Sequence, residues 1–576
     1  MTANTAVTAT FNLSATSYTL TVTPSGTGSG TITSSPAGIN CGATCTATFS
    51  VGEQVTLTAT ANAGSYLVSW TGDCSGFSSC VVTLNSNETV GATLNTWPIN
   101  HIVFLAQENR SFDHYFGALR QYWAQNGYPD QSFNGLPQFN PTSGIPPLYA
   151  PPPSNPGCDP NFPYQPPPAP FQDCVIDANN PVTSYHLITQ CIENPSPFWN
   201  ESHVDWDYYD QTGLNPAALN GFVWTAAHDA RNNGYYDNNP YYDTIGMRAI
   251  GYYNGDDLNY YYFMASNFGT SDNWFNPIMT RTNSNRESLI AGTSQGYVYP
   301  VGTNNNDQNL LTATTIFQEL QAAGITWKIY INPTNSSCTG PPYDPTCLMT
   351  LGYLQNFTWG QTVATQYPQS IGTIGVPNSD YDNDLANGTL PQVVQIEPAT
   401  DAGLDEHPTD FDTALSDIQP GAAYVSGIIN QLMTSQYWAD SAFLLTYDEY
   451  GGLYDHVSPA QEVSPDGIPP LDLEPADICY GTPDIGTCNF TYSGYRVPLI
   501  VVSPYAKKNY VSHTLADTTA IIKFIATRFG VSTLTARDAA QPDMSEFFDF
   551  NTPPWTTPPT PPTQNVNGAC YVNTLP

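Results

Sequence analysis

Two patterns of apolar and polar positions divide this chain of 576 residues. Up to about residue 96, short runs alternate apolar and polar side chains, as in residues 17–23 (SYTLTVT) and 54–60 (QVTLTAT), and turn signals separate the runs. A period of two is typical of strands that bury one face. The pattern therefore predicts a small all-β domain over residues 1–96.

Longer apolar runs begin after this segment and alternate with stretches of helical spacing. Runs typical of strands buried on both faces occur at residues 101–105 (HIVFL), 326–331, 391–398, 442–447 and 496–503. A helical pattern over residues 312–323, ending at Gly324, precedes one of them. This alternation predicts an α/β domain over residues 97–551, with a mostly parallel sheet flanked by helices.

Two proline-dense segments interrupt this pattern. Residues 137–181 contain PPPSNPGCDP and YQPPPAP, and residues 552–576 begin with TPPWTTPPTPPT. Proline removes a backbone donor and fixes φ, so neither segment is expected to form a regular helix or a central strand. The first is predicted to be an insertion held together by Cys158 and Cys174, serving as a lid or an outer wrap. The second is predicted to be an extended tail.

The charge balance excludes some classes of partner. The chain has 13 lysines and arginines against 49 aspartates and glutamates, which gives a formal net charge of −36. Binding to nucleic acid requires clustered cations that neutralise phosphates, so no nucleic-acid partner is expected. The same scarcity of cations argues against electrostatic docking on anionic membranes.

The twelve cysteines indicate the compartment. Eight of them form close sequence pairs, namely Cys41 with Cys45, Cys74 with Cys80, Cys338 with Cys347, and Cys479 with Cys488. The remaining four are Cys158, Cys174, Cys191 and Cys570. Zinc is the alternative, but no CxxC motif occurs, so disulfides are favoured. We therefore expect an oxidising, secreted or extracellular location. No apolar run is long enough for a transmembrane segment.

Acidic side chains follow two of the predicted strands. Glu108 and Asn109 come after the strand at 101–105, and Asp448 and Glu449 come after the strand at 442–447. In open α/β sheets ligands bind at the carboxyl ends of strands, and an oxygen-rich set there suits one hard divalent ion such as Ca²⁺, Mg²⁺ or Mn²⁺. The alternative is a pair of solvated acidic loops. Residues 455–456 either extend the site or cap the loop.

Residues 279–286 (MTRTNSNR) supply a candidate nucleophile. Threonine hydroxyls lie beside arginines, which are scarce in this chain, just before a helix-like run. This combination indicates a nucleophile near a group that binds an oxyanion. His203 and His407 lie beside acidic residues, which is notable in a chain with eight histidines, although a lone loop histidine is usually structural.

Several motifs together resemble a known family. They occur in order as HIVFLAQENRSFDHYFG (101–117), NWF with TNSNR (273–286), DEHP (405–408), YDEYGGLYDHV (447–457) and GYRVPLIVVSPYAKK (494–508). From about residue 101 to 550 the chain resembles the bacterial phosphoesterase family, which includes phosphatidylcholine-type phospholipases C and acid phosphatases of the alkaline-phosphatase superfamily. The resemblance implies an alkaline-phosphatase-like fold. Residues 30–95 resemble bacterial extracellular repeats related to internalin B-repeats.

The family resemblance also implies roles for particular residues. It places the metal on Glu108, Asn109, Asp448, Glu449 and the nucleophile Thr282. It further implies that His203 and His407 lie near the phosphoryl group or its leaving oxygen. In the mechanism that we hypothesise, Arg286 stabilises charge on the phosphate together with the metal and Asn109.

The chain departs from the family pattern around the nucleophile. The family has Gly-Pro before the nucleophile and a proline after it, whereas Thr280-Arg281 precede Thr282 here and Ser284 replaces the later proline. The choice between Thr280 and Thr282 therefore depends on their spacing to residues 285–286.

The resulting functional hypothesis is a secreted metal-dependent phosphoesterase that acts on phosphodiesters in the manner of a phospholipase C. One alternative is an acid phosphatase acting on phosphomonoesters. Another is an inactive scaffold that serves as an extracellular adhesive or structural protein. The expected partner is a phosphate ester or phospholipid substrate. The N-terminal module is either a spacer or adhesion domain, contacting a cell surface or matrix, or an inert stabilising domain.

Overall fold

The computed structural model describes residues 16–76, 79–141, 149–236, 241–301, 310–334, 338–409 and 417–575. The chain divides into two compact units. One is formed by residues 1–98 with 527–530, and the other by residues 99–526 with 531–576. The domain boundaries predicted at residues 96/97 and 551/552 stay predictions. Residues 1–15 of the predicted all-β domain lie outside the described residues.

The alternating N-terminal segment forms two four-stranded sheets. Its strands are β1 (Ser17–Ser25), β2 (Gly30–Ser35), β3 (Asn40–Cys41), β4 (Thr46–Ser50), β5 (Gln54–Ala61), β6 (Ser65–Gly72), β7 (Cys80–Thr83) and β8 (Glu88–Thr96). The sheet orders are β4-β1-β8-β6 and β3-β2-β5-β7. The pairings are antiparallel except that β1 and β8 run parallel.

Burial in this unit follows the alternation of the sequence. In β1, Leu20 and Val22 are buried while their neighbours are more exposed. They join residues of the other sheet, such as Ile32 and Leu57, in one hydrophobic cluster that also contains Trp70. The two sheets therefore share one core, as expected for strands with a single apolar face.

The longer apolar runs build an eight-stranded sheet in the second unit. Its strands are β9 (His101–Gln107), β10 (Gly269–Ser271), β11 (Trp327–Ile331), β12 (Ile371–Thr373), β13 (Val393–Ile396), β14 (Ser441–Tyr447), β15 (Leu499–Val502) and β16 (Tyr510–Ser512). The order across the sheet is β12-β11-β13-β9-β14-β15-β10-β16.

This sheet is parallel except for β15, which pairs antiparallel with both of its neighbours. The central strands β9 and β14 are buried along almost their whole length. Such burial requires cover on both faces, which explains why their sequences are continuous apolar runs. The predicted fold class, a mostly parallel α/β domain with a small all-β N-terminal domain, is confirmed.

The described α-helices are α1 (Phe112–Phe116), α2 (Leu119–Asn126), α3 (Trp199–Trp206), α4 (Phe222–Tyr236), α5 (Asn259–Asn267), α6 (Thr282–Ala291), α7 (Ile316–Ala323), α8 (Pro345–Met349), α9 (Gly360–Gln366), α10 (Asp380–Asn387), α11 (Ile418–Thr434), α12 (Ala520–Phe529) and α13 (Ala536–Ala540). Helix α7 begins later than the predicted residue 312, because the Thr315 side chain accepts a hydrogen bond from the Gln318 amide and caps the helix there. Within the described ranges, no helix has the length and hydropathy needed to cross a bilayer.

Short segments complete the secondary structure. Single 3₁₀ turns lie at Pro137–Phe139, Met247–Ile250, Tyr353–Asn356, Pro368–Ser370, Thr400–Ala402, Gln436–Asp440 and Ser545–Phe547. Two-stranded pairings join Ser154–Cys158 with Ile176–Thr183, Tyr185–His186 with Gly251–Tyr252, and Trp274–Phe275 with Ala516–Asp517. The first of these pairings lies in the proline-rich insertion, where it forms an antiparallel pair outside the main sheet.

All twelve cysteines form disulfides. The bonds join Cys41 to Cys45, Cys74 to Cys80, Cys158 to Cys174, Cys191 to Cys570, Cys338 to Cys347, and Cys479 to Cys488. The insertion is closed by its own disulfide, as predicted. The bond to Cys191 ties the proline-rich tail to the α/β unit, and no cysteine is left for zinc.

Candidate functional site

The ends of β9 and β14 bring two acidic segments together. The last residues of the two strands are directly paired, so the residues that follow emerge side by side at one edge of the sheet. The Asn109 amide donates a hydrogen bond of 3.1 Å to Asp448 Oδ1, and the Glu449 amide donates one of 2.8 Å to the same oxygen. Asn109 has a φ of 59°, a left-handed conformation that asparagine tolerates better than most residues. The predicted juxtaposition of the four side chains is therefore present.

Arg286 of α6 lies between two of these carboxylates. Its Nη2 donates to Glu108 Oε1 at 2.7 Å and its Nε donates to Asp448 Oδ2 at 3.2 Å. Nη2 also donates to the Ala106 carbonyl at 3.0 Å. Burial lowers the pKa of Arg286, but the two carboxylates more than compensate and raise it above its ordinary value. The Arg286 side chain is thus the counter-ion of the acids and has few donors left for a substrate.

The site holds more negative charge than Arg286 neutralises. Glu108, Asp448 and Glu449 are all buried. Burial, reinforced by the Glu108 carboxylate, raises the pKa of Asp448 to about 7. Burial and the neighbouring Asp448 raise the pKa of Glu449 well above its ordinary value. One oxygen of Glu449 accepts from the Gly451 amide at 2.6 Å, whereas Oε1 is buried with no hydrogen-bond partner in the described structure.

Thr282, the first residue of α6, faces the acidic group. Its Oγ1 lies 3.4 Å from both Glu108 Oε2 and Asn109 Oδ1. The Thr280 hydroxyl is fully buried and donates to the Val298 carbonyl at 3.1 Å. Of the two threonines that the sequence leaves as candidates, the structure brings only Thr282 to the strand ends.

The donor set fits a hard divalent cation. Carboxylate, amide and hydroxyl oxygens are the ligands that Ca²⁺, Mg²⁺ and Mn²⁺ prefer. The unpartnered Glu449 Oε1 and the unbalanced charge are features that a cation would satisfy. The residues that could hold it are Glu108, Asn109, Asp448, Glu449 and Thr282.

A cavity of about 450 Å³ opens beside Thr282. It is lined by Asn109, Asn194, Ser196, Pro197, Phe198, Asp229, Asn233, Tyr241, Arg281, Thr282, Asn283, Pro300 and His407. This mixture of polar groups and rings is typical of a site for a small polar group with an apolar attachment. The cavity connects the hydroxyl of the candidate nucleophile with one of the two predicted histidines.

His407 lines this cavity, and the residue before it in the chain, Glu406, is fully buried. Glu406 has a φ of 69°, and its buried carboxylate accepts hydrogen bonds from Gln107 and from the phenols of Tyr115, Tyr261 and Tyr447. The ring Nδ1 of His407 lies 2.5 Å from the Pro408 carbonyl, which accepts its proton. These contacts fix the backbone and ring of His407 at the edge of the cavity.

His203 lies elsewhere. Its ring is fully buried in α3, Nδ1 donates to the Trp199 carbonyl at 2.7 Å, and the ring centroid lies 4.1 Å from that of Trp199. Burial lowers the pKa of His203 to about 4. Among the described residues that line the cavity, His407 is present and His203 is not. The expectation that His203 approaches the phosphoryl group stays a prediction.

A second buried acidic group lies after β14 and does not extend the first. Arg496 donates to Asp455 Oδ1 at 2.9 Å and to Asp113 Oδ1 at 3.2 Å. His456 Nδ1 lies 2.6 Å from Asp113 Oδ2. Arg496 pairs with both carboxylates and His456 contacts Asp113, so residues 455–456 tie the loop to α1.

Gly451 allows the two acidic segments to approach each other. It has a φ of 73°, and a Cβ placed there would lie 2.3 Å from the Asn109 carbonyl oxygen. Gly451→Ala should displace Asn109 and lower kcat/KM by about a hundredfold, the effect of misplacing a group by roughly 1 Å. Gly467 is a matched control, since it also has a φ of 73° but no atom within 4 Å of the added Cβ. Equal effects of both substitutions on kcat/KM and on the melting temperature would contradict this account.

Sequence reasoning did not identify most of the cavity wall. Asn194, Asp229 and Tyr241 come from segments without a recognisable motif, and only folding brings them to Thr282. Arg281 carried a signal, because arginine is scarce in this chain and this one adjoins the candidate nucleophile.

Comparison with known families agrees with the motifs. A model of the phosphoesterase family matches residues 99–532, and a model of the divergent InlB B-repeat domain matches residues 18–96. Both resemblances expected from the sequence are confirmed.

Curated relatives are similar over most of the chain. Phospholipase C A of Mycobacterium tuberculosis is 28% identical over 473 residues, which cover 80% of this chain and 79% of that protein. Non-hemolytic phospholipase C of Pseudomonas aeruginosa is 27% identical over 477 residues, which cover 80% of this chain and 58% of that protein.

Solved structures give weaker matches. A protein in the alkaline phosphatase superfamily from Vibrio parahaemolyticus matches with a TM-score of 0.28 and 12% identity, covering 49% of this chain and 63% of that chain. Murine ectonucleotide pyrophosphatase / phosphodiesterase 5 also matches with a TM-score of 0.28 and 12% identity, covering 48% of this chain and 91% of that chain.

Proposed function

The chain belongs to the phosphoesterase family, and from this premise we propose that it is a secreted, metal-dependent phosphodiesterase of the phospholipase C type with Thr282 as its nucleophile. Family membership makes the chain a phosphoric ester hydrolase. The observation that carries the finer proposal is the position of the Thr282 hydroxyl, 3.4 Å from both Glu108 Oε2 and Asn109 Oδ1 at the mouth of the cavity.

The proposed metal ligands are Glu108, Asn109, Asp448, Glu449 and Thr282. A divalent cation bound there would lower the pKa of the Thr282 hydroxyl and offset the charge on the phosphate. Arg286 keeps two of the acidic ligands in place through its ion pairs, rather than contacting the phosphate.

The residues around Thr282 suggest the order of the chemical steps. Glu108 Oε2 and Asn109 Oδ1 accept from the Thr282 hydroxyl and orient its lone pairs toward the cavity. As the threonine oxygen attacks phosphorus, its proton passes to Glu108 Oε2, the bond from phosphorus to the alcohol oxygen breaks, and a phosphothreonine forms. His407 lines the cavity and supplies the proton to the leaving oxygen. Water entering the cavity then hydrolyses the phosphothreonine.

The choice of a phosphodiester substrate rests on the relatives and on the cavity. Both relatives described above are named phospholipase C. The cavity wall includes the rings of Phe198 and Tyr241, which offer apolar surface for the remainder of an ester. An acid phosphatase acting on phosphomonoesters is the competing hypothesis.

Secretion is proposed from the cysteines. Six disulfides are stable only where the environment is oxidising, and reducing compartments would open them. We expect free thiols to be absent from protein recovered from the medium of a producing culture, when they are counted after denaturation without reductant. Six or more thiols per chain would contradict this proposal.

The first unit is proposed to contact a cell surface or matrix. It is a separate compact unit and matches a repeat domain, whereas the metal ligands all lie in the second unit. A variant lacking residues 1–96 should hydrolyse esters normally but bind less to surfaces of the producing cells. If the variant binds these surfaces as well as the full chain does, the alternative of an inert stabilising domain is favoured.

The proposal is tested by measuring hydrolysis of p-nitrophenylphosphorylcholine and p-nitrophenyl phosphate side by side, from acidic to neutral pH. We expect faster hydrolysis of the diester, loss of activity after chelation, and recovery when Ca²⁺, Mg²⁺ or Mn²⁺ is added. A preference for the monoester would favour the acid phosphatase. If neither ester is hydrolysed with any of these metals, the inactive adhesive scaffold is favoured. Activity that survives chelation would exclude a metal-dependent reaction.

A further inference from the structure

Arg281 differs from the other arginines near the site. It immediately precedes Thr282, lines the same cavity, and donates no hydrogen bond to any residue that the structure describes. Its Nε is buried without a partner. The guanidinium lies over the Phe198 ring, 4.4 Å from its centroid, and 5.7 Å from the centroid of Tyr299. The side chain is therefore held by stacking, with its polar donors unused.

The other arginines that are buried in the α/β unit each donate to protein oxygens, although Arg231 Nη2 and Arg248 Nε are also buried without a partner. They donate to carboxylates or to backbone carbonyls, as shown by Arg110, Arg231, Arg248, Arg286, Arg496 and Arg537. A buried donor without an acceptor costs free energy, so native proteins rarely leave one. Arg281 differs because none of its side-chain nitrogens donates to a protein oxygen within the described residues, and it lies beside the hydroxyl that is proposed to attack the substrate.

An anionic ligand would satisfy these donors. A guanidinium presents a planar fork that matches two oxygens of a phosphate, and stacking on a ring orients that plane without using its N–H groups. Glu108 and Asp448 are already paired with Arg286, and Arg281 is the arginine of the cavity wall that has no carboxylate partner among the described residues.

We propose that Arg281 binds the non-bridging oxygens of the substrate phosphate while Thr282 attacks phosphorus. This inference rests on the proposed function. It assigns the phosphate-binding role to Arg281 and replaces the assignment to Arg286 that the sequence suggested. Coulomb attraction scales with charge, so a dianionic phosphomonoester should depend on Arg281 more than a monoanionic phosphodiester does.

The direct test is equilibrium binding of inorganic phosphate to the metal-loaded full chain, measured by isothermal titration calorimetry. Arg281→Gln should weaken binding by about tenfold to a hundredfold, the usual loss when a charge-assisted hydrogen bond is removed. Arg281→Lys should restore part of the affinity because it restores the charge. Arg120→Gln is the matched control, since Arg120 pairs with Asp130 away from this cavity. Melting temperatures identify any variant that does not fold.

Kinetics with the two p-nitrophenyl esters complete the test. Arg281→Gln should lower kcat/KM by about tenfold or more for the monoester and by less for the diester. Phosphate affinity equal to that of wild type in a folded Arg281→Gln protein would overturn the inference, as would wild type that binds no phosphate. If wild type hydrolyses neither ester, the proposed function fails, while the calorimetry still decides whether Arg281 binds phosphate.

Discussion

Replacing Thr282 with alanine should lower kcat/KM for ester hydrolysis by about a thousandfold or more and leave the protein folded. The Thr282 hydroxyl faces Glu108 and Asn109 from the first turn of α6, and the side chain is only partly buried. Its removal takes away the attacking oxygen without opening a cavity in the core. Thr282→Ser keeps a hydroxyl and should retain measurable activity.

Thr280 supplies the matched control for this experiment. Thr280→Val preserves the shape of a fully buried side chain but removes its hydrogen bond to the Val298 carbonyl. We expect a loss of about 1 kcal/mol in the free energy of unfolding and little change in kcat/KM. The opposite result, an active Thr282→Ala protein and an inactive but folded Thr280→Val protein, would move the nucleophile to Thr280.

The second large effect should come from Glu449→Gln. This change removes one buried carboxylate beside Asp448, so the metal-free protein should melt at the same temperature as wild type or higher. Cation affinity should fall on the order of a hundredfold or more, because a charged ligand is lost from a buried set. Stability with metal should therefore change in the opposite direction from stability without it.

Thermal unfolding with and without Ca²⁺, Mg²⁺ and Mn²⁺ measures both effects. A cation at about one hundred times its dissociation constant stabilises the folded chain by about 2.7 kcal/mol, and Glu449→Gln should lose most of that gain. Glu287→Gln is the control. Glu287 is also a buried glutamate, but it lies on α6 outside the cavity, where the Asn356 side chain donates a hydrogen bond of 3.0 Å to it. If Glu449→Gln keeps the full metal-induced shift, Glu449 is not a ligand.

The sequence by itself determined the architecture of the chain. Alternating runs gave one buried face in β1, and continuous apolar runs gave the buried strands β9 and β14. Both patterns indicate which side chains of a strand are buried, because side-chain direction has a fixed period along a strand. The acidic pairs at 108–109 and 448–449 could be placed together for a related reason, since the carboxyl ends of parallel strands share one edge of a sheet.

Only the tertiary structure decided which of several similar side chains reach the site. Thr280 and Thr282 are two residues apart in sequence, yet one hydroxyl turns to the Val298 carbonyl and the other faces the strand ends. His203 and His407 both adjoin acidic residues, yet only His407 lines the cavity.

The two arginines show the same distinction. Arg286 meets carboxylates 178 and 162 residues away in sequence, whereas Arg281 stacks on Phe198 and keeps its donors unused. These outcomes depend on contacts between distant segments, and a linear sequence specifies which groups are available without specifying which of them meet.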